Sequence, residues 1–191
     1  MSSLEQLYQQ VILDHARERH AYGLREGAAG ESFQVNPTCG DEVRLRVHID
    51  FGSAGDGGIG GADSFGGAGG GDVGSGVLTG AGASGREVSA RPRISGVSWE
   101  GHGCSISQAS ISVMSDLVTG TDVLTADAFA ESFRALMHHR GEPLGDSRDE
   151  ELGDAAAFVG VAKYPARVKC ALLGWMALRD ALAHALVKEE S

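Results

Sequence analysis

Apolar residues recur along the chain with two periods. Leu4, Leu7, Tyr8, Val11 and Ile12 fall at i, i+3, i+4, i+7 and i+8, the stripe of an amphipathic helix. Ser2 stands three residues before Glu5, a capping-box pattern, and the helix is predicted to end near Ala21, before Gly23. Gly23 to Pro37 is small and polar and reads as an extended loop. Asn36-Pro37-Thr38-Cys39-Gly40-Asp41 is a dense turn signal. The period then becomes two: Val43, Leu45, Val47 and Ile49 alternate with Arg44, Arg46 and His48, as in a half-buried strand. A second strand-like stretch lies between Val88 and Glu100, with Ile94, Val97 and Trp99 as its apolar members.

After that the helical period returns. Ile106, Ala109, Val113 and Leu117 mark a helix from Ser105 to Val118, stopped by Gly120. Thr125 is predicted to cap a helix carrying Phe129, Phe133, Leu136 and Met137, ended by Gly141. Glu142 to Asp154 reads as an acidic, turn-rich link, and Leu152 to Val161 as a short helix. Beyond Tyr164-Pro165, the residues Val168, Leu172, Trp175, Leu178, Leu182 and Leu186 trace a long C-terminal helix, with Lys188 suited to its dipole. The sum predicts an α+β fold: a small antiparallel sheet with helices packed on one face.

Composition changes this picture at one place. Of 29 glycines in 191 residues, 16 fall between Gly52 and Gly85, where a hairpin turn would join the two strands. The tract has no three-residue period and no proline, which excludes collagen. It has no Lys or Arg and no G-x-x-x-x-G-K-[ST], which excludes a phosphate loop. With Phe65 as its one aromatic it has little to bury, and a disordered insertion at 52–86 is expected within a single domain spanning 1–191. Elsewhere the chain is ordinary, and 42% apolar residues exclude disorder of the whole.

Charge narrows the partners. A net charge of −10 argues against nonspecific nucleic-acid binding, which needs a basic face. No apolar run approaches the ~20 residues of a membrane span. Met1-Ser2-Ser3-Leu4-Glu5 lacks the basic and apolar regions of a secretory leader. The expectation is a cytoplasmic protein with neither nucleic acid nor membrane as partner.

Three cysteines, Cys39, Cys104 and Cys170, lie far apart with no C-x-x-C pair, so they do not form a disulfide framework. One reading makes them buried small hydrophobes. Their surroundings offer another. Cys39 sits in a turn two residues before Asp41, across a permissive Gly40. Cys104 follows Gly101-His102-Gly103 and precedes a helix, whose N-terminus lowers a thiol pKa. Cys170 lies three residues after Arg167, so a guanidinium shares its helix face. Three thiolates and a carboxylate make a tetrahedral set for zinc, or for iron in a cluster, if the fold brings them together. The competing readings leave Asp41 as a turn residue, His102 as a loop residue and Arg167 as a solvated charge. His138-His139 is most simply a helix C-terminal feature.

Three motifs carry a resemblance. Asn-Pro-Thr-Cys-Gly-Asp (36–41), Gly-His-Gly-Cys-Ser-Ile-Ser-Gln-Ala-Ser (101–110) and Tyr-Pro-Ala-Arg-Val-Lys-Cys (164–170) resemble the cysteine motifs of the U-type iron–sulfur assembly proteins. These are the IscU and NifU N-terminal family, and the SufU branch in particular. Leu-Tyr-Gln-Gln-Val-Ile-Leu-Asp-His (7–15) is similar to that branch too. IscU-type scaffolds carry His directly before the third cysteine, where this chain has Lys169. Val123–Gly160 resembles the SufU insertion between the second and third cysteines. The glycine tract and Ala-Arg-Glu-Arg-His (16–20) depart from the family pattern.

The resemblance implies a SufU/IscU-like fold and zinc held by Cys39, Asp41, Cys104 and Cys170. It implies that a SufS-type cysteine desulfurase, acting with other SUF assembly proteins, passes sulfane sulfur to Cys39. In the family picture a histidine of the desulfurase takes over a zinc position and frees that thiolate. Zinc keeps thiols deprotonated at neutral pH, and a thiolate attacks sulfur where a thiol does not. Arg167 would add positive charge near the reacting sulfur. Two alternatives remain: a scaffold building a [2Fe–2S] cluster on the same residues, and a module whose zinc is purely structural.

Overall fold

In the computed structural model, residues 3–52 and 91–189 are described. The insertion expected at 52–86 therefore lies, apart from Gly52, outside the described residues.

The alternation in the first predicted strand is realised as β2 (Asp41–Asp50), with Val43, Leu45 and Val47 fully buried. Asp41 occupies the next inward-facing position of that row, so the same period that builds the core also buries this carboxylate. β3 (Arg93–His102) pairs antiparallel with β2, Leu45 opposite Trp99 and Val47 opposite Val97, with a bulge at His48/Ile49. On the other side of β2 lies β1 (Gly30–Asn36), completing an antiparallel sheet in the order β1-β2-β3.

The stretch containing β1 was expected to be a loop. Its pattern is inverted: Gly30, Ser32 and Asn36 are buried, while Phe33 and Val35 are about half exposed. The inward residues are small or polar because a helix lies directly on them. A Cβ on Gly30 would stand 2.0 Å from the Ala181 carbonyl oxygen, and Ser32 Oγ donates to Asp180 Oδ2 at 2.7 Å.

That helix is α5 (Pro165–Glu189). It is the one described helix long and apolar enough to cross a membrane by length and composition. More than half of its most apolar window is buried inside the protein, which makes it the core helix of this fold. It packs on the inner face of β1 and β2 beside α2 (Ser105–Val118) and α3 (Val123–His138). Asp122 caps α3, accepting from the amides of Leu124 and Thr125, so Thr125 lies inside the helix it was expected to start. Phe133 stacks on Trp175 at 4.7 Å and meets Phe158 edge-on at 5.6 Å. Phe158 comes from a 3₁₀ segment (Gly153–Lys163) that follows the short α4 (Ser147–Glu151), where a link and a brief helix were expected.

α1 (Ser3–Glu18) ends earlier than Ala21, because Arg19 and Ala21 adopt left-handed conformations. The chain then runs beside β3, with Gly23 N–H donating to the Trp99 carbonyl and Trp99 N–H to that of Ala21. The helical stripe of α1 packs on α2 only in part. Ile12 and Ala16 meet the core and His15 is buried, while Leu4 and Leu7 are exposed.

Candidate metal centre

The β1–β2 turn gathers the first motif. Asn36 and Asp41 face each other as the last pair of the ladder, and Gly40, at φ +76°, closes the turn by donating to the Asn36 carbonyl at 2.8 Å. Cys39 is exposed at the tip. Cys170 lies buried in the second turn of α5. Their sulfurs are 3.3 Å apart as two free thiols. One carboxylate oxygen of Asp41 completes a group whose donor atoms all lie within 4.8 Å of one another.

Cys104 is placed as the motif predicts, at the N-cap of α2. Its backbone N–H donates to Asp41 Oδ1 at 3.3 Å, while its Sγ turns toward Ser107 Oγ at 3.8 Å. The structure thus brings Cys39, Asp41 and Cys170 into one cluster and anchors Cys104 to it through the main chain, with its thiol outside the triplet. Gly103 permits this approach, because a Cβ there would stand 2.9 Å from Asp41 Cγ.

The electrostatics are those of crowded anions. Burial pushes the Asp41 carboxyl up, but polar contacts with Ser107 and the three thiols outweigh it and hold its pKa below the ordinary value. The Cys170 thiol is pushed far up, first by burial and then by Cys39, Cys104 and Asp41. A cation seated there would let Cys170 ionise beside the Asp41 carboxylate. Asp41 Oδ2 is the buried side-chain oxygen left with no hydrogen-bond partner among the described residues.

Other candidates stand apart. Arg167 is exposed, and its guanidinium lies 4.9 Å over the Tyr164 ring rather than on a cysteine. His102 points to solvent with Glu42 as its neighbour at 3.6 Å. His139 Nδ1 faces the carbonyls of Glu142 and Pro143 at the end of α3, as expected of a helix-terminal residue.

Sequence reasoning missed two participants. Asn36 is buried and donates from Nδ2 to Cys170 Sγ at 3.7 Å, while its Oδ1 accepts from the Thr38 amide at 3.1 Å. Lys169 reaches the same turn, with Nζ 3.4 Å from Thr38 Oγ1. The Asn-Pro signal announced a turn but gave no hint that its amide would reach a cysteine in α5.

A three-stranded sheet backed by helices thus carries two thiols and a carboxylate that converge at one end. The NifU-like N terminal domain profile matches residues 85–171. The chain is 33% identical over 185 residues to the zinc-dependent sulfurtransferase SufU of Bacillus subtilis (strain 168), covering 95% of this chain and 93% of that protein. It is 31% identical over 183 residues to the iron–sulfur cluster assembly scaffold protein IscU of Streptococcus pyogenes serotype M1, covering 95% and 86%. Among solved structures, an iron–sulfur cluster assembly scaffold protein for the SUF system from Fervidobacterium islandicum AW-1 superposes with a TM-score of 0.63 at 26% identity, over 95% of this chain and 99% of that one. The NifU-like N-terminal protein of Brucella abortus shares the fold, with a TM-score of 0.65 at 18% identity, over 98% and 99% of the two chains. The chain belongs to the IscU/SufU family of iron–sulfur cluster assembly proteins.

Proposed function

We propose that the protein, acting as one domain, is a zinc-dependent sulfur acceptor. Cys39, Asp41, Cys104 and Cys170 would hold the zinc, and a SufS-type cysteine desulfurase of the SUF system would supply the sulfur. The observation that carries this reading is the unpartnered, buried Asp41 Oδ2 beside two thiols in contact. An orphaned acceptor among soft donors fits a zinc ion better than an apolar core. The name of the SufU relative supports the same choice. Bound there, zinc would hold its cysteine ligands as thiolates at neutral pH.

The chain's own residues divide the work. Cys39 and Cys104 are both exposed, but Cys39 rides a glycine-hinged turn, whereas Cys104 is fixed at a helix start and Cys170 is buried within a helix. Cys39 is therefore the thiolate free to attack. It would attack the outer sulfur of the desulfurase persulfide. The donor's S–S bond breaks, a new persulfide forms on Cys39 and the donor cysteine leaves as a thiolate, so the step is redox-neutral. Asn36 and Lys169 hold the turn on which this happens. Arg167, exposed one helical turn before Cys170, would bring positive charge to the site by swinging its guanidinium off the Tyr164 ring.

The test is metal analysis of anaerobically purified protein, followed by desulfurase stimulation. The expected result is zinc without acid-labile sulfide. A Cys39→Ser protein should stay folded and keep zinc, yet leave the desulfurase at its unassisted rate, and Arg167→Ala should slow sulfur acceptance. Iron with acid-labile sulfide would instead support a [2Fe–2S] scaffold, in keeping with the iron–sulfur cluster assembly scaffold named for the IscU relative. Unfolding or metal loss in Cys39→Ser would support a purely structural zinc.

A further inference from the structure

A second group of metal-ligating side chains lies where α1 meets α2. His15, His20 and Asp116 each offer a donor atom, and these atoms lie within 4.8 Å of one another. Asp116 is just over three helical turns along α2 from Cys104, about 18 Å of helix, so this group is separate from the cysteine centre. His15, Asp116 and Asp154 border one cavity of about 210 Å³, walled by Val113, Leu117 and Leu152.

Each imidazole turns at least one ring nitrogen toward a carboxylate. His15 is buried, and its Nδ1 lies 2.9 Å from Ser112 Oγ. With Nδ1–H donating to that hydroxyl, Nε2 is left to coordinate, and Asp154 Oδ2 stands 3.6 Å from it. His20 is held from several sides. Its amide donates to the same Ser112 Oγ at 2.9 Å, and its carbonyl accepts from the Trp99 indole at 2.8 Å. Left-handed residues, Arg19 at φ +48° and Ala21 at φ +62°, bend the chain on either side of it. The ring nitrogens face two carboxylates: Nδ1 is 2.5 Å from Asp116 and Nε2 is 2.8 Å from Glu18. A cation entering here would replace the proton that His20 Nδ1 and Asp116 share, while Nε2–H keeps Glu18 as its partner, the carboxylate–histidine–metal arrangement of known sites.

We propose that His15, His20 and Asp116, with Asp154 at the cavity edge, form a second site, for a divalent first-row transition ion. The donor set is two imidazoles and carboxylates with no sulfur. Imidazole disfavours magnesium and calcium, which take oxygen, and the missing thiolates separate this site chemically from the cysteine centre. The competing arrangement is a protonated His20 paired with Glu18 and Asp116. It binds no metal, so it makes the opposite prediction.

The test is a Co²⁺ titration of the full chain, read by visible absorption and by imidazole NMR. One cobalt ion should bind without thiolate-to-cobalt charge-transfer absorption. Of the seven histidines, His15 and His20 should be the first rings broadened. His20→Ala should abolish this uptake and Asp116→Asn should weaken it tenfold or more. Both side chains are partly exposed, and circular dichroism would confirm that both variants fold. The proposal is overturned if all cobalt uptake shows thiolate charge transfer, or if both variants bind as the parent does. Neither result bears on the cysteine centre, whose cobalt spectrum is reported separately in the same titration.

Discussion

Asp41 and Asn36 sit opposite each other, yet only one of them could be picked out beforehand. Asp41 was legible from its C-x-D step across a glycine, although only the structure shows that the alternation of β2 turns it inward. Asn36 was not legible, since its role depends on a cysteine 134 residues away in the chain. Its amide satisfies a buried thiol and its carbonyl caps the turn that carries Cys39. Asn36→Ala removes both contacts and leaves the Thr38 amide without its side-chain acceptor. The expected cost is about 1–2 kcal/mol of stability, together with roughly tenfold weaker metal retention. Denaturant unfolding and a zinc-chelator competition would measure the two. A variant indistinguishable from the parent in both would show that the turn holds itself.

At the level of elements, what could be read depended on which residues faced the core. β2, α2, α3 and α5 bury most of their apolar residues, so periodicity located them, although Leu124, Met176, Leu186 and Val187 are exposed. β1 buries glycine, serine and asparagine against α5 and exposes Phe33 and Val35, so hydrophobic patterning had nothing to find. The outer face of β1 nevertheless carries pairing information in its one charged residue, Glu31. Glu31 lies directly opposite Arg46 and contacts Arg44 as well, at 2.5 and 2.8 Å. Hydrogen bonding from Arg46, ahead of the burial that opposes it, holds the Glu31 carboxyl below its ordinary pKa. A carboxylate with a depressed folded-state pKa stabilises the fold above its unfolded pKa, about 4.3, and loses that effect as pH falls through the lower folded value. Glu31→Gln should therefore cost up to about 1 kcal/mol near neutrality, less in high salt, and nothing at a pH below the folded value. Unfolding curves of both proteins across that range would check it. A destabilisation that persists at the acid end would mean the side chain acts by packing.

For the molecule as a whole, the glycine tract poses a question of mechanical independence. It enters after β2 and leaves before β3, and Asp50 still pairs with Arg93 across that gap, beyond the bulge. The start of β3 has its own anchors on the α2–α3 connection. Ile94 N–H donates to the Thr121 carbonyl at 2.8 Å, Gly120 N–H to that of Ile94 at 2.7 Å, and Val123 N–H to that of Pro92 at 3.1 Å. Asp41 stands at the opposite end of β2 from Asp50, about 30 Å away at the usual rise of a strand. Neither the register of β3 nor the cysteine centre depends on the tract through any of these contacts. Closing the hairpin through 34 residues, rather than three, costs about 2 kcal/mol of chain entropy. Deleting Gly52–Gly85 and joining the strands by a short turn should raise stability by up to that amount. Zinc content and desulfurase stimulation should stay at parental values. Loss of either, in a protein shown by unfolding to be no less stable, would mean that the tract contributes to partner contact.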